Sequence, residues 1–360
     1  MKNKAIICIL LLFASSAQAS RVVGYLSLWG LKTGFSADQI RGDLLTDVVY
    51  SFLDISADGE CKILSESPQD EKLTLTTFAQ LTKLKKKYPR LKTIISVGGW
   101  GSSVLFSDVA WSDSSRKKFV RSCVRMMKKY SFDGIDVDWE FPVSGGLPKN
   151  HYNEKDRSNF THLIAEFRKQ LGHSKSLSIA VSPLLSNLNN LQVNKLATYL
   201  DWFGVMAYDF CNLDSQATCH HAAFDPMGKN ALQWFARNRI KSRQIILGVP
   251  FYGYQWKVLS ANDSGLGQKV DHTNPASNTR PSYVQIMGQS YSKDWYHWDS
   301  VAKEPWLFNP TSLTMTSFEN EESLALKVSY VKKNKLGGIM IWELSGDTAN
   351  HSLLKAIKLH

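Results

Sequence analysis

The 360-residue sequence predicts an α/β protein, a (β/α)8 TIM barrel with a small α+β subdomain inserted after the seventh strand. Three observations point there. Eight short runs rich in Val, Ile and Leu alternate with longer segments of helical period. The runs are mostly continuously apolar, as strands are when helices cover one sheet face and a packed core the other. A single long stretch, 251–318, breaks the rhythm with turn signals and aromatic residues. A doubly wound parallel sheet is the main rival, because it shares the alternation.

In order, the strand-like runs are 22–28, 47–53, 93–97, 134–139, 177–181, 202–206, 245–249 and 338–343. Helical patterns fall between them at 74–87, 116–129, 156–171, 192–199, 231–239 and 321–333. The stretch 251–318 contains Ser264-Gly265, Asn274-Pro275 and Asn309-Pro310 as turn signals, with Tyr283, Tyr291, Trp295, Tyr296, Trp298 and Trp306 among its aromatics. Its place after the seventh strand puts it on the C-terminal face, where barrels build their sites.

Composition sets the wider bounds. With 43% hydrophobic and 21% charged residues, disorder, collagen and coiled coil are excluded. The 11 Trp exceed what a core needs, so some are expected in a groove that reads flat apolar surfaces. The net charge of +11 is spread over separate basic clusters in or at the ends of helical patterns, which reads as a solvated shell and not as a nucleic-acid footprint.

Residues 1–19 read as a signal peptide. Lys2 and Lys4 precede ten apolar residues, and Ala17-Gln18-Ala19 is a small-x-small cleavage site. A mature chain from Ser20, residues 20–360, is then expected to be secreted or periplasmic. No later run approaches the roughly 20 apolar residues of a membrane span. In an exported chain Cys211 and Cys219 read as a local loop staple, while Cys61 and Cys123 are either paired or buried thiols. CxxC spacing is absent, and no metal or cofactor is expected.

The sharpest feature is Asp133-Gly134-Ile135-Asp136-Val137-Asp138-Trp139-Glu140. On a strand, Asp136, Asp138 and Glu140 share one face and Ile135, Val137 and Trp139 the other, so in a barrel the acids point inward. Inward carboxylates are costly unless they share protons or hydrogen bonds, and that cost normally marks a working site. Asp138 and Glu140 lie roughly 6–7 Å apart, and a negative neighbour keeps one of such a pair protonated near neutral pH. Two carboxylates suggest glycoside hydrolysis. Three acids stacked on one strand, however, approach a substrate from one side only.

The run resembles the DxxDxDxE signature of glycoside hydrolase family 18, the chitinases. Ser96-Val97-Gly98-Gly99-Trp100 resembles the family's SxGG on strand three. Met206-Ala207-Tyr208-Asp209 resembles MxYD on strand six, and Gly337-Gly338-Ile339-Met340-Ile341-Trp342-Glu343 resembles the end of strand eight. The resemblance implies a monomeric, cofactor-free, retaining hydrolase of chitin or N-acetylglucosamine oligosaccharides, with 251–318 in the place of the insertion domain of deep-cleft chitinases. Glu140 would be the acid/base, Asp138 would hold the 2-acetamido group and share a proton with Asp136, and Tyr208 would orient the acetamido carbonyl. The resemblance also implies Tyr25, Phe52, Trp100, Met206, Asp209, Tyr252 and Trp342 as substrate contacts. Asp133 is expected to be structural, and Ser96, Gly98 and Gly99 to serve packing. Trp29 and Trp256 are further cleft candidates.

One departure stands out. Family members often read Tyr-Gly-Arg after strand seven, with the Arg reaching substrate; this chain reads Tyr252-Gly253-Tyr254, so that contact is expected to be missing. A family hydrolase of N-glycan cores or peptidoglycan, or an inactive chitin-binding lectin, are the alternative readings. The presence of Glu140 weighs against the lectin.

Overall fold

Eight parallel strands close on themselves in the computed structural model, which describes residues 20–290 and 292–359. The expected leader, 1–19, lies outside the described residues. The barrel strands are β1 (Arg21–Ser27), β2 (Asp47–Ile55), β3 (Lys92–Gly98), β4 (Gly134–Asp138), β5 (Ser176–Val181), β6 (Trp202–Val205), β7 (Ile245–Pro250) and β8 (Gly338–Trp342). Closure comes from β1, which pairs in parallel with β8 through Val22 and Ile339 and with β2 through Tyr25 and Val49.

The strands read as continuously apolar because both faces are covered. Val22, Leu26, Ile95, Val97, Ile135, Val137, Leu247 and Ile341 pack outward under the helices. Val23, Tyr25, Val49, Ile94, Trp202, Ile246 and Met340 fill the barrel. Gly248 belongs to that inner layer, where a Cβ would stand 2.5 Å from the Val205 carbonyl oxygen and 2.8 Å from Met340 Cε.

The longer helices are α1 (Pro68–Lys87), α2 (Asp113–Lys129), α3 (Asp156–Leu171), α4 (Val193–Tyr199), α5 (Lys229–Arg237) and α6 (Glu321–Lys333). Side-chain caps from Ser67, Ser112 and Asn320 start α1, α2 and α6. Those three helices end on Lys85–Lys87, Lys128–Lys129 and Lys332–Lys333, where cations oppose the helix dipole. Seven of the lysines therefore have a local use. After β1 the helix is only Leu28–Lys32, with a 3-10 turn at Ala37–Gln39. No helix among the described residues is long and apolar enough to cross a membrane.

Between β7 and α6 the chain forms a four-stranded antiparallel sheet in the order Tyr296–Asp299, Glu304–Asn309, Thr314–Ser317, Tyr254–Lys257, with a helix at Tyr283–Gly288. A buried cation ties this sheet to α6. Lys327 Nζ lies 2.8 Å from Glu304 Oε1, pairs with Glu319 and donates to the Ala222 carbonyl at 2.8 Å. Burial pushes Glu304 up to about 7 and Lys327 down, despite their mutual attraction.

Candidate active site at the C-terminal ends of the strands

The acidic strand β4 places its side chains as the alternation requires. Asp136, fully buried, accepts from Ser178 Oγ at 2.6 Å, Ser96 Oγ at 2.8 Å and the Tyr25 hydroxyl at 3.1 Å. Ser96 thus does more than pack: it is one of three hydroxyl donors to this carboxylate. Burial raises Asp136 despite them. Asp138, at the end of β4, is raised well above the usual carboxylate range by burial, then by Glu140 and Asp136. Its buried Oδ1 has no hydrogen-bond partner, an unmet need that a ligand donor would meet. Asp133 faces away and accepts from Thr93 N and Lys85 Nζ, both at 2.9 Å, consistent with a structural role.

Glu140 is clamped through its backbone. Its N–H donates to Ser103 Oγ at 2.9 Å, and its carbonyl accepts from Asn150 Nδ2 at 2.8 Å. Gly98 and Gly99 let the loop after β3 approach: at Gly98, with φ of 109°, a Cβ would stand 2.2 Å from the Asp138 carbonyl oxygen. Neither Ser103 nor Asn150 belongs to a motif visible in the sequence. The Glu140 carboxyl is pushed up to about 8 by burial, with the Asp209 charge adding and Arg280 opposing. It therefore holds a proton at neutral pH. Non-proline cis peptide bonds stand at Ser51–Phe52, Glu140–Phe141 and Trp342–Glu343, all at this end of the barrel.

Other strands deliver the remaining groups. Trp342, the last residue of β8, stacks on Phe52 at 5.6 Å and leans on Tyr25 at 5.7 Å, making an aromatic floor. Tyr208, just beyond β6, is buried, and its hydroxyl is held neutral by burial and by Asp209, Asp138 and Glu140. Met206 packs in the same barrel cluster. Asp209, at φ 59°, accepts from the Tyr252 hydroxyl and lies 3.8 Å from His221 Nδ1. Burial pushes Asp209 up, but His221, Arg280 and Tyr252 pull it further down, so it is charged. Trp100 lies at the rim, 52% exposed and 6.4 Å from Phe141, and Trp29 is also exposed.

Two expectations need correction. Trp256 is not in the cleft: it is fully buried, stacked on Tyr254 at 5.6 Å, with its Nε1 donating to the Asn212 carbonyl. Nor does the site lack an arginine. Arg280, outside every motif, lies with its guanidinium carbon 3.9 Å from the Tyr252 ring centroid. The Cys211–Cys219 disulfide is formed, next to Asp209, and Cys61 and Cys123 are free, buried neighbours.

A closed eight-stranded parallel barrel with this acidic strand places the chain in a known class. The model for glycosyl hydrolases family 18 matches residues 21–347, and the chain belongs to that family. It is 34% identical to chitinase A1 of Niallia circulans over 78% of its own length and 44% of the relative's. To chitinase ChiA of Flavobacterium johnsoniae it is 27% identical over 97% of this chain and 28% of that one. The chain thus spans less than half the length of either relative. Among solved structures, the Group IV chitinase of Ostrinia furnacalis in complex with allosamidin superposes with a TM-score of 0.83 at 28% identity, covering 94% of this chain and 98% of that one.

Proposed function

We propose that the chain is a chitinase: a retaining hydrolase of β-1,4-linked N-acetylglucosamine polymers that uses the substrate's own acetamido group as nucleophile. The observation that carries the reading is the pairing of a protonated Glu140 with an unpartnered Asp138 Oδ1 beside Tyr208, above the Trp342–Phe52 floor. A sugar seated on Trp342 places its glycosidic oxygen at Glu140, which delivers the proton as the bond breaks. The acetamido carbonyl attacks the anomeric carbon from the opposite face, and an oxazolinium ion forms. Asp138 accepts the acetamido N–H, sharing a proton with Asp136 as charge develops, and the Tyr208 hydroxyl donates to the acetamido carbonyl. Glu140, now ionised, takes a proton from water as the ring opens. No second protein carboxylate has to reach the far face, which fits acids stacked on one strand.

Tyr25, Phe52, Trp100, Met206, Asp209 and Tyr252 complete the sugar-binding surface in this reading, and 251–318 forms one cleft wall as an inserted subdomain of the 20–360 catalytic unit. Export through residues 1–19 and action as a monomer belong to the same proposal. Incubating the purified chain with chitin oligosaccharides, peptidoglycan and N-glycans tests it. Release of β-anomeric N-acetylglucosamine oligomers from the first substrate is expected, and none from fully deacetylated chitosan. Rapid cleavage of that chitosan would refute the acetamido mechanism, and preference for peptidoglycan or N-glycans would replace the substrate.

A further inference from the structure

Arg280 follows the 3-10 turn Pro275–Ser277 and comes to the site through a ladder. Gln255 and Thr279 exchange both backbone hydrogen bonds at 2.9 Å, and Gly253 N–H donates to the Pro281 carbonyl at 2.8 Å. The residue between Thr279 and Pro281 is thereby set against the segment Tyr252-Gly253-Tyr254. Its guanidinium carbon lies 3.9 Å from the Tyr252 ring centroid and 5.8 Å from that of Tyr254, a cation–π contact with both rings. Its Nε is buried and has no hydrogen-bond partner. A charged side chain held in place with a buried donor unspent is costly unless something supplies an acceptor.

The groups around it identify the acceptor's place. The Arg280 charge weakens the proton affinity of Glu140 beyond β4, Tyr208 and Asp209 beyond β6, His221 in the loop after the disulfide, Tyr252 and Tyr254 beyond β7, and Glu343 beyond β8. Asp138 faces Glu140 from β4. Asp209 is already engaged by Tyr252, and His221 is held neutral by burial. We propose that Arg280 is a positioning and sugar-binding residue: clamped on Tyr252, it keeps the Tyr252 hydroxyl aligned on Asp209, and gives its Nε–H to an oxygen of the sugar bound beside Glu140. The inference rests on the glycosidase reading. It also gives the cleft wall a function, since the ladder that holds Arg280 is part of that wall.

The test uses the full chain, with Arg280→Met and Arg280→Lys made both alone and in the Glu140→Gln background. Tryptophan fluorescence reads chitotetraose affinity in the Gln background, where turnover does not interfere. Arg280→Met is expected to weaken binding about tenfold to a hundredfold, the loss of a charge-assisted bond. In the otherwise native enzyme it should move the basic limb of the kcat/KM profile up by about one pH unit, because the cation that weakens Glu140's hold on its proton is gone. Arg280→Lys keeps the charge without the planar fork, so it should restore the limb but not the affinity. If Arg280→Met does not fold, the Lys variant with a native Tm still decides by its affinity. Unchanged affinity and an unmoved limb, in an enzyme that Glu140→Gln inactivates, overturn the role of Arg280 alone. A wild-type chain that neither binds nor cleaves chitotetraose overturns the chitinase reading and this inference with it.

Discussion

Replacing Glu140 with Gln should cut activity and raise stability, with the second effect appearing only at some pH values. The substitution keeps the volume of the side chain and removes the transferable proton, so turnover of chitotetraose should fall by about 10²–10⁴. The stability effect follows from the displaced titration. The carboxyl titrates at 4.5 when free and at about 8 in the folded chain. Between those values the unfolded chain releases a proton that the folded chain retains, so stability falls as pH rises, by about 1.4 kcal/mol per unit, and is flat above 8. At pH 7 that amounts to at most about 3.5 kcal/mol, and to about half of it with solvent screening at the cleft. Gln has no such term. Scanning calorimetry should therefore find the variant about 2–5 °C more stable than wild type at pH 7, with no difference at pH 4. A difference independent of pH, or a variant less stable at pH 7, would refute the assignment of the raised carboxyl to Glu140.

Wild-type kcat/KM should decline above about pH 8 as Glu140 loses its proton, and Asp209→Asn, which removes a neighbouring negative charge, should bring that decline to lower pH; profiles from pH 4 to 10 decide both. Lys327→Met leaves Glu304 and Glu319 buried without their cation, and urea unfolding should show a loss of about 3–5 kcal/mol. Changing both Cys211 and Cys219 to Ser opens a loop of sequence separation 8 and should cost about 2–3 kcal/mol, read as a lower Tm that matches wild type under reducing conditions.

The acids of β4 were legible because a period of two forces Asp136, Asp138 and Glu140 to one face whatever surrounds them. Helices α3 and α6 begin and end where their periodicity does. Helix α1 begins six residues before the apolar pattern, at Pro68 and not at residue 74, because its first turn is polar and is held by the Ser67 cap. Long-range partners were not legible. Gln255 and Thr279 pair across a loop of irregular chain, and nothing in the local sequence announces that register. Arg280 was invisible for that reason. Trp256 was placed on the wrong side because, on a strand of the inserted sheet, it shares a buried face with Tyr254.

The hydroxyl cradle of Asp136 has a mechanical side. Its three donors, Tyr25, Ser96 and Ser178, come from β1, β3 and β5, so one carboxylate braces three staves of the barrel at its centre. In the proposed mechanism the brace and the proton store are the same atoms. Exchanging Asp136 for an apolar residue would leave three hydroxyls unsatisfied in the middle of the molecule as well as silence its acid partner. On the proposed mechanism, rate and fold answer to the same side chain.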